Sequence, residues 1–452
     1  MRKLILYQFN YYKWKWAGLV PIILICSLLT GMALNGLFNI MSNSSLPASA
    51  VDPTPIFLMP IFFGGITLFF IISGIVRVII EELSDVYKLF SMLGANRTQL
   101  SIIIGGQIFI VSLLTSIVGS LFSHMMTKFY YFYLQGIVGS EMLPTISIKF
   151  NIFSFLLSVL IVSSIAGLSG MFYAKKIFKE KENEKKQERQ WIKNCMTALM
   201  FFVWIAVIYC ILFINDFNIG IPDQLFKAEL IIYLMVIHIF LIRKISPRLE
   251  VFLTHLLCLA SHNYGVVTGK WKVLSNKFYL KSLVFSVVTG INLLTGFQML
   301  FHNVFINYQN DSASEFEVSL ILYLAFPIMI IVTNIISLTI ITFSNERKEN
   351  QQLQTLGFSK KNILFEKLCE SLIYSGIVII ISSIVNLIIL LVIIYGPNMG
   401  IIDSYSIILS IFSWSLPIGV ILFLLLFITK TFYIYKKGKN IYIDNMLTNC
   451  DS

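Results

Sequence analysis

The chain has 452 residues, 57% of them hydrophobic and only 13% charged, with a mean hydropathy of +0.81. That balance excludes a soluble globular protein and places most of the chain in lipid. The formal charge of +11 does not indicate nucleic-acid binding, because the basic residues flank apolar runs and line no polar domain.

Met1, Arg2 and Lys3 ahead of an apolar run have the look of a signal peptide. Lys13 and Lys15 come late, however, and the run 17–40 exceeds a signal core. The reading is a retained anchor. Crossing the hydrocarbon core takes about 20 apolar residues, and runs of that kind predict about ten helices. They are 17–40, 55–80, 100–127, 151–174, 195–214, 228–242, 283–305, 318–343, 366–395 and 405–429. The run 228–242 is short, and losing it would make the count odd. The expected fold is an all-α polytopic membrane protein, its spans grouped four, two and four.

Charge orients the spans. Arg2, Lys3, Lys13 and Lys15, then Arg77, Lys88 and Arg97, then the runs 175–193, 243–281, 347–367 and 430–439 all fall on one side. Only Lys128, Lys149 and Lys227 fall on the other. The positive-inside rule makes the first side cytoplasmic and puts both termini there. On that topology Cys26, Cys195, Cys210, Cys258, Cys369 and Cys450 lie in spans or inside, so no disulfide framework is expected. The weight of Ile, Phe, Lys and Asn points to a low-GC bacterium.

An internal repeat organises the chain. Aromatic-basic amphipathic stretches, Tyr7–Trp16 and Tyr264–Lys281, precede the two four-span blocks and suit helices lying in the headgroup layer. The predicted units are 1–174, a first block with its elbow helix; 175–244, a charged linker and central span pair; and 245–452, a second elbow and block with a cytoplasmic tail. The mixed-charge segment 175–194 reads as a solvated linker helix, with a partner-docking surface as the sharper alternative.

Within each block the second and third spans are joined by similar segments. They are Tyr87-Lys-Leu-Phe-Ser-Met-Leu-Gly-Ala-Asn-Arg-Thr-Gln-Leu100 and Asn350-Gln-Gln-Leu-Gln-Thr-Leu-Gly-Phe-Ser-Lys-Lys-Asn-Ile363. Each predicts a short cytoplasmic helix broken at Leu-Gly, a basic residue, and a new span. Aligning Leu93-Gly94 with Leu356-Gly357 carries Arg97 onto Lys360 and Leu100 onto Ile363.

Catalytic signatures are absent. The sequence has no Gly-x-x-x-x-Gly-Lys-Ser/Thr phosphate loop, no His-Glu-x-x-His, no paired cysteines and no Gly-x-Ser-x-Gly. His124, His238, His255, His262 and His302 are scattered singly, so no metal or other cofactor is expected. Glu366, Glu370 and Arg77 lie at the cytoplasmic ends of spans, which leaves a proton- or sodium-driven carrier without midplane charges. The outer loops, 135–149 and 215–227 the longest, are too short for a core of their own.

At the two Leu-Gly segments the chain resembles the FtsX-like permeases, the membrane subunits of MacB-type ABC transporters. The second copy matches their pattern through Arg347, Glu349, Leu353, Leu356, Gly357, Ser359, Lys360 and Ile363. Glu370 occupies a position where the family often has an acidic residue. The first copy is looser, with Glu81, Glu82 and Asp85 in place of the charged start. The 4+2+4 plan resembles the bacitracin- and lantibiotic-resistance permeases of Gram-positive bacteria. The loop 306–317 is bare where those carry a large extracellular domain.

The resemblance implies a permease without its own ATPase, and a cell-membrane location. Two copies of a cytoplasmic ABC ATPase would grip the Leu-Gly helices. A sensor kinase or a small membrane subunit is a further partner in that reading, beside the bilayer itself. In the first helix Leu89, Phe90 and Leu93 would anchor the ATPase, with Lys88 and Arg97 at the rim and Gly94 as the stop. In the second, Leu353 and Leu356 would anchor it, with Arg347, Glu349 and Lys360 at the rim and Gly357 as the stop. The work would be export, extraction or displacement of antimicrobial peptides or other amphipathic molecules. The bland alternative is a pair of loop helices packing on their own bundle. The functional alternatives are a non-transporting regulator of a sensor kinase or cell-wall hydrolase, and a secondary carrier.

Overall fold

A computed structural model describes residues 16–42, 92–138, 146–182, 188–213, 223–259, 263–300, 331–341, 349–395 and 411–435, with isolated positions in 54–90 and at 7, 328 and 329. Most of the predicted span 55–80, most of the first amphipathic stretch and the loop 306–317 lie outside the described residues.

Ten helices are followed here. Val20–Ser42 is α1, entered through a 3-10 turn at Ala17–Leu19, and Arg97–Val138 is α2. Ile152–Glu182 is α3, Glu188–Phe213 α4 and Asp223–Leu257 α5. Tyr264–Ser275 is the amphipathic α6, and Lys277–Leu300 is α7. Ile331–Ile341 is α8, Lys360–Tyr395 α9 and Ser415–Tyr435 α10. Seven are long and apolar enough to cross a membrane, and the shorter apolar α8 and the apolar part of α10 fall on two further predicted spans. The chain is an all-α polytopic membrane protein.

Helix lengths depart from the apolar runs. The third span, expected over 100–127, is a helix of 42 residues, about 63 Å long against a hydrocarbon core of about 30 Å. Past Thr127 it continues through Phe129–Tyr133, where nothing breaks a helix and Tyr130 and Tyr131 pack around Phe57. The short run 228–242 belongs to α5, 35 residues long, which carries helical geometry through Pro247. Polar Arg243, Lys244 and Ser246 had hidden its extent. Helix α7 starts at Lys277 instead of 283 and is the most enclosed span, with 94% of its apolar window buried. Helix α4 is the most exposed, with 6%. Trp204 of α4 donates its indole N–H to His238 Nε2 of α5 at 2.9 Å, and Asn292 of α7 donates to the Met235 carbonyl of α5 at 3.2 Å.

In the first half α1, α2 and α3 pack on one another. Where α1 crosses α2 the backbones nearly touch: a Cβ on Gly119 would lie 2.5 Å from the Leu24 carbonyl oxygen and 1.9 Å from Ser27 Oγ. At the far end from the Leu-Gly turns Asn39 exchanges two hydrogen bonds with the Lys149 backbone, at 2.9 and 3.0 Å. Asn35 Oδ1 accepts from Asn151 N–H and Ser154 Oγ, both at 3.3 Å. These amides satisfy backbone groups of residues 146–151, which precede α3 and lie outside any helix.

An offset of 263 residues (357 less 94) carries Gly94, Arg97 and Ile152 onto Gly357, Lys360 and Ser415, so the turn, α2 and α3 begin in register with the turn, α9 and α10. The halves also touch reciprocally. Gly18 faces Ser337 and Ile341, and Gly74, the equivalent of Ser337 by that offset, faces Ser282.

Gly119→Ala should force α1 and α2 apart and destabilise the chain by about 1–3 kcal/mol. Thermal unfolding in detergent reads this as a lowered midpoint, whereas Gly136→Ala, with open space around the new methyl, should change little.

Candidate functional site

Both Leu-Gly segments end a helix in the same way. Gly94 has φ +86° and Gly357 φ +89°, and a Cβ at either would meet nothing within 4 Å. Glycine is therefore required by the left-handed backbone and not by crowding. Ala95 N–H donates to the Phe90 carbonyl, and Phe358 N–H to the Leu353 carbonyl, both at 3.0 Å. Gly357 N–H also reaches the Gln354 carbonyl at 3.1 Å. This is the Schellman pattern, which satisfies carbonyls orphaned at a helix end.

One residue later the next helix is capped. Asn96 N–H donates to Gln99 Oε1 at 3.0 Å, while in the second copy Ser359 Oγ accepts from Asn362 N–H at 3.3 Å. These are the two complementary halves of a capping box, one at each turn. Leu100 and Ile363 then bury fully, anchoring the first turn of α2 and α9. Each Leu-Gly helix is thus stopped, reversed and tied to the next span within about six residues.

In the first copy, at the described positions, Leu83 N–H bonds Ile79 O, Tyr87 N–H bonds Leu83 O and Leu93 N–H bonds Leu89 O. In the second, residues 349–355 are helical. Leu93 and Leu356, equivalent by the offset, are each 74% exposed at the tip, and Leu89 and Met92 extend the first apolar patch. Met92 was missed by sequence reasoning, although it lies one position before the Leu-Gly pair. Phe90 and Leu353 are half-buried at the C3 position, where the turn's own apolar contact forms. Glu349 is half-buried and Lys360 exposed. Lys88, Arg347 and the Arg97 side chain lie outside the described residues.

Behind the second helix lies a charge cluster that sequence reading placed at a span mouth. The structure puts Glu370 ten residues into α9 with its side chain fully buried. Lys430 Nζ of α10 meets Glu370 Oε1 at 2.5 Å. Lys272 Nζ of α6 and Lys367 Nζ of α9 lie 3.8 and 3.7 Å from Oε2. Lys272 also holds Glu349 Oε2 at 2.5 Å, which joins the Leu-Gly helix to the cluster. Lys430 stands over the rings of Tyr374 and Tyr279, 4.7 and 5.7 Å from their centroids. An unpaired carboxylate at this depth would cost several kcal/mol, and the surrounding ammonium groups offset that. The available sequence signal was a Lys and a Glu inside two apolar runs, opposite in sign and 60 residues apart.

The amphipathic helix α6 supports the second turn. Tyr264 stacks on Phe358 with centroids 5.3 Å apart and planes 19° apart. Burial, and then the charge of Glu366, hold the Tyr264 phenol above its ordinary pKa, so it stays neutral. Its buried face is Gly265, Gly269 and Val273; a Cβ on Gly269 would lie 3.2 Å from Glu370 N. That close approach lets Lys272 reach Glu370.

The family model described as the FtsX-like permease C-terminal domain matches residues 61–181. Over those residues the chain is similar to the FtsX-like permeases. The match takes in the first Leu-Gly turn with α2 and reaches into the last turn of α3, in the copy whose charged start departs more from the pattern. No curated protein matches the chain. Long apolar helices make this a multi-pass membrane protein, and the match over 61–181 supports a membrane permease of the ABC-transporter type; FtsX-like permeases usually work with ATPase subunits.

Gly357→Ala should cost about 1 kcal/mol at the turn, and Gly357→Asn less, because Asn tolerates the left-handed region. Hydrogen exchange across 349–363 should rise in the order wild type, Asn, Ala; equal exchange in all three would show that the turn carries no such strain.

Proposed function

We propose that the chain is the permease subunit of an ABC transporter whose separate ATPase, in two copies, docks on the Leu-Gly helices from the cytoplasm. The observation that carries this reading is the pair of equivalent leucines, Leu93 and Leu356, equally exposed at the tips of two rigidly capped helices. A large apolar side chain held in water at a stiff tip is suited to a pocket on a partner. Two four-span units, 1–174 and 245–452, joined by 175–244, would receive one ATPase each. Closure of the ATPase pair would rock one unit against the other across the reciprocal contacts of Gly18 and Gly74.

The described spans display broad apolar faces, including Phe122, Phe129 and Phe132 on α2 and Ile152, Phe153 and Leu156 on α3. Such a surface suits work at the bilayer more than carriage through a water-filled pore. Extraction or displacement of amphipathic molecules, with antimicrobial-peptide resistance in a Gram-positive cell membrane as its use, is the function we favour.

The test is co-expression of the full chain with P-loop ATPases encoded near it, followed by capture from detergent. Leu93→Glu and Leu356→Glu should each lower ATPase capture about twofold, to one copy per chain, and the double variant should abolish it. Capture unaffected by all three variants would overturn the docking reading.

A further inference from the structure

The second Leu-Gly helix is bound to its surroundings in a way the sequence repeat does not foreshadow. Glu349, within that helix, is held by Lys272 of α6; the same Lys272 lies beside Glu370 of α9; and Glu370 holds Lys430 of α10. Tyr279 of α7 packs edge-on against Tyr374 of α9, centroids 5.4 Å apart, with the Lys430 ammonium over both rings. The Tyr264–Phe358 stack fixes the other end of the turn to α6. Five helical elements therefore converge on one carboxylate and its lysines.

The first copy has no such cluster at the matching positions. The offset of 263 places Gln107 opposite Glu370, Ile104 opposite Lys367 and Gly167 opposite Lys430. The network is thus a property of the second half and not a requirement of the repeated fold.

We infer that Lys272 and Glu370 are positioning residues that make the second Leu-Gly helix, α6 and the feet of α9 and α10 a single lever, so that force applied at Leu356 is delivered to the last two spans. Lys272 is the hinge pin of this unit, because its ammonium is shared between the exposed helix and the buried acid. The charged contacts resist sliding of α6 along α9. The close approach at Gly269 leaves no soft side chain between the two backbones to absorb the movement. The inference rests on the docking reading for the source of the force, but the rigid unit itself can be measured without an ATPase.

The experiment uses the full chain in lipid nanodiscs, alone and with the ATPase it captures. Lys272→Gln removes the shared charge at the rim of the cluster, and Lys272→Arg keeps it. Alone, Lys272→Gln should raise hydrogen exchange across 349–358 about tenfold, with the exchange of α2 unchanged. With the ATPase, capture should be retained while permease-dependent ATP turnover falls about fivefold or more. Lys272→Arg should restore both readouts, which a purely structural loss would not produce. Glu370→Gln should follow Lys272→Gln if it folds, and Phe358→Ala gives a second route to the same loosening. Unchanged exchange overturns the clamp. Raised exchange with unchanged turnover overturns the lever. If Leu93→Glu, Leu356→Glu and the double variant all leave capture intact, the docking reading fails separately, and the exchange arm still decides whether the unit is rigid.

Discussion

The second half of this molecule is organised around one buried carboxylate. Glu370 has no access to water, so its charge must be met by the protein. Meeting it brings in Lys430 from α10, Lys367 from its own helix and Lys272 from the amphipathic helix, and Lys272 in turn holds Glu349 before the turn. Gly269 completes the arrangement by letting α6 approach α9 closely enough for the lysine to reach. Much of what places the second Leu-Gly helix follows from this single requirement.

The duplication gives the same turn twice on different foundations. Both copies use a left-handed glycine, a Schellman closure and a cap on the following span, and both leave a leucine exposed at the tip. In the first copy the described residues that follow the turn, Leu100, Ile104 and Gln107, are buried and uncharged. The second is braced by ions and a stacked ring pair. The FtsX-like match falls on the first.

The turns were legible because their chemistry is local. A Leu-Gly pair followed by Asn or Ser and a basic residue encodes helix stop, left-handed glycine and new cap within a few positions, and the structure builds these at both sites. Helix lengths were less legible. Counting apolar residues stops at Lys128 or Arg243, whereas the helices continue through both, to Val138 and Leu257. Phe90 and Leu353, expected as partner anchors, are half-buried at the C3 position of their turns. The charge cluster was out of reach for a different reason: its members lie on elements up to 158 residues apart (430 less 272), and only the packed bundle brings them together.

If the two turns are paired docking points for a separate ATPase, the stoichiometry of the complex follows from them, and native mass spectrometry of the full chain, captured with its ATPase in detergent, reads it. Two ATPase copies on one permease chain are predicted, falling to one when either tip leucine is replaced by glutamate. A single copy on the unaltered chain, or a complex whose composition ignores both leucines, would contradict it.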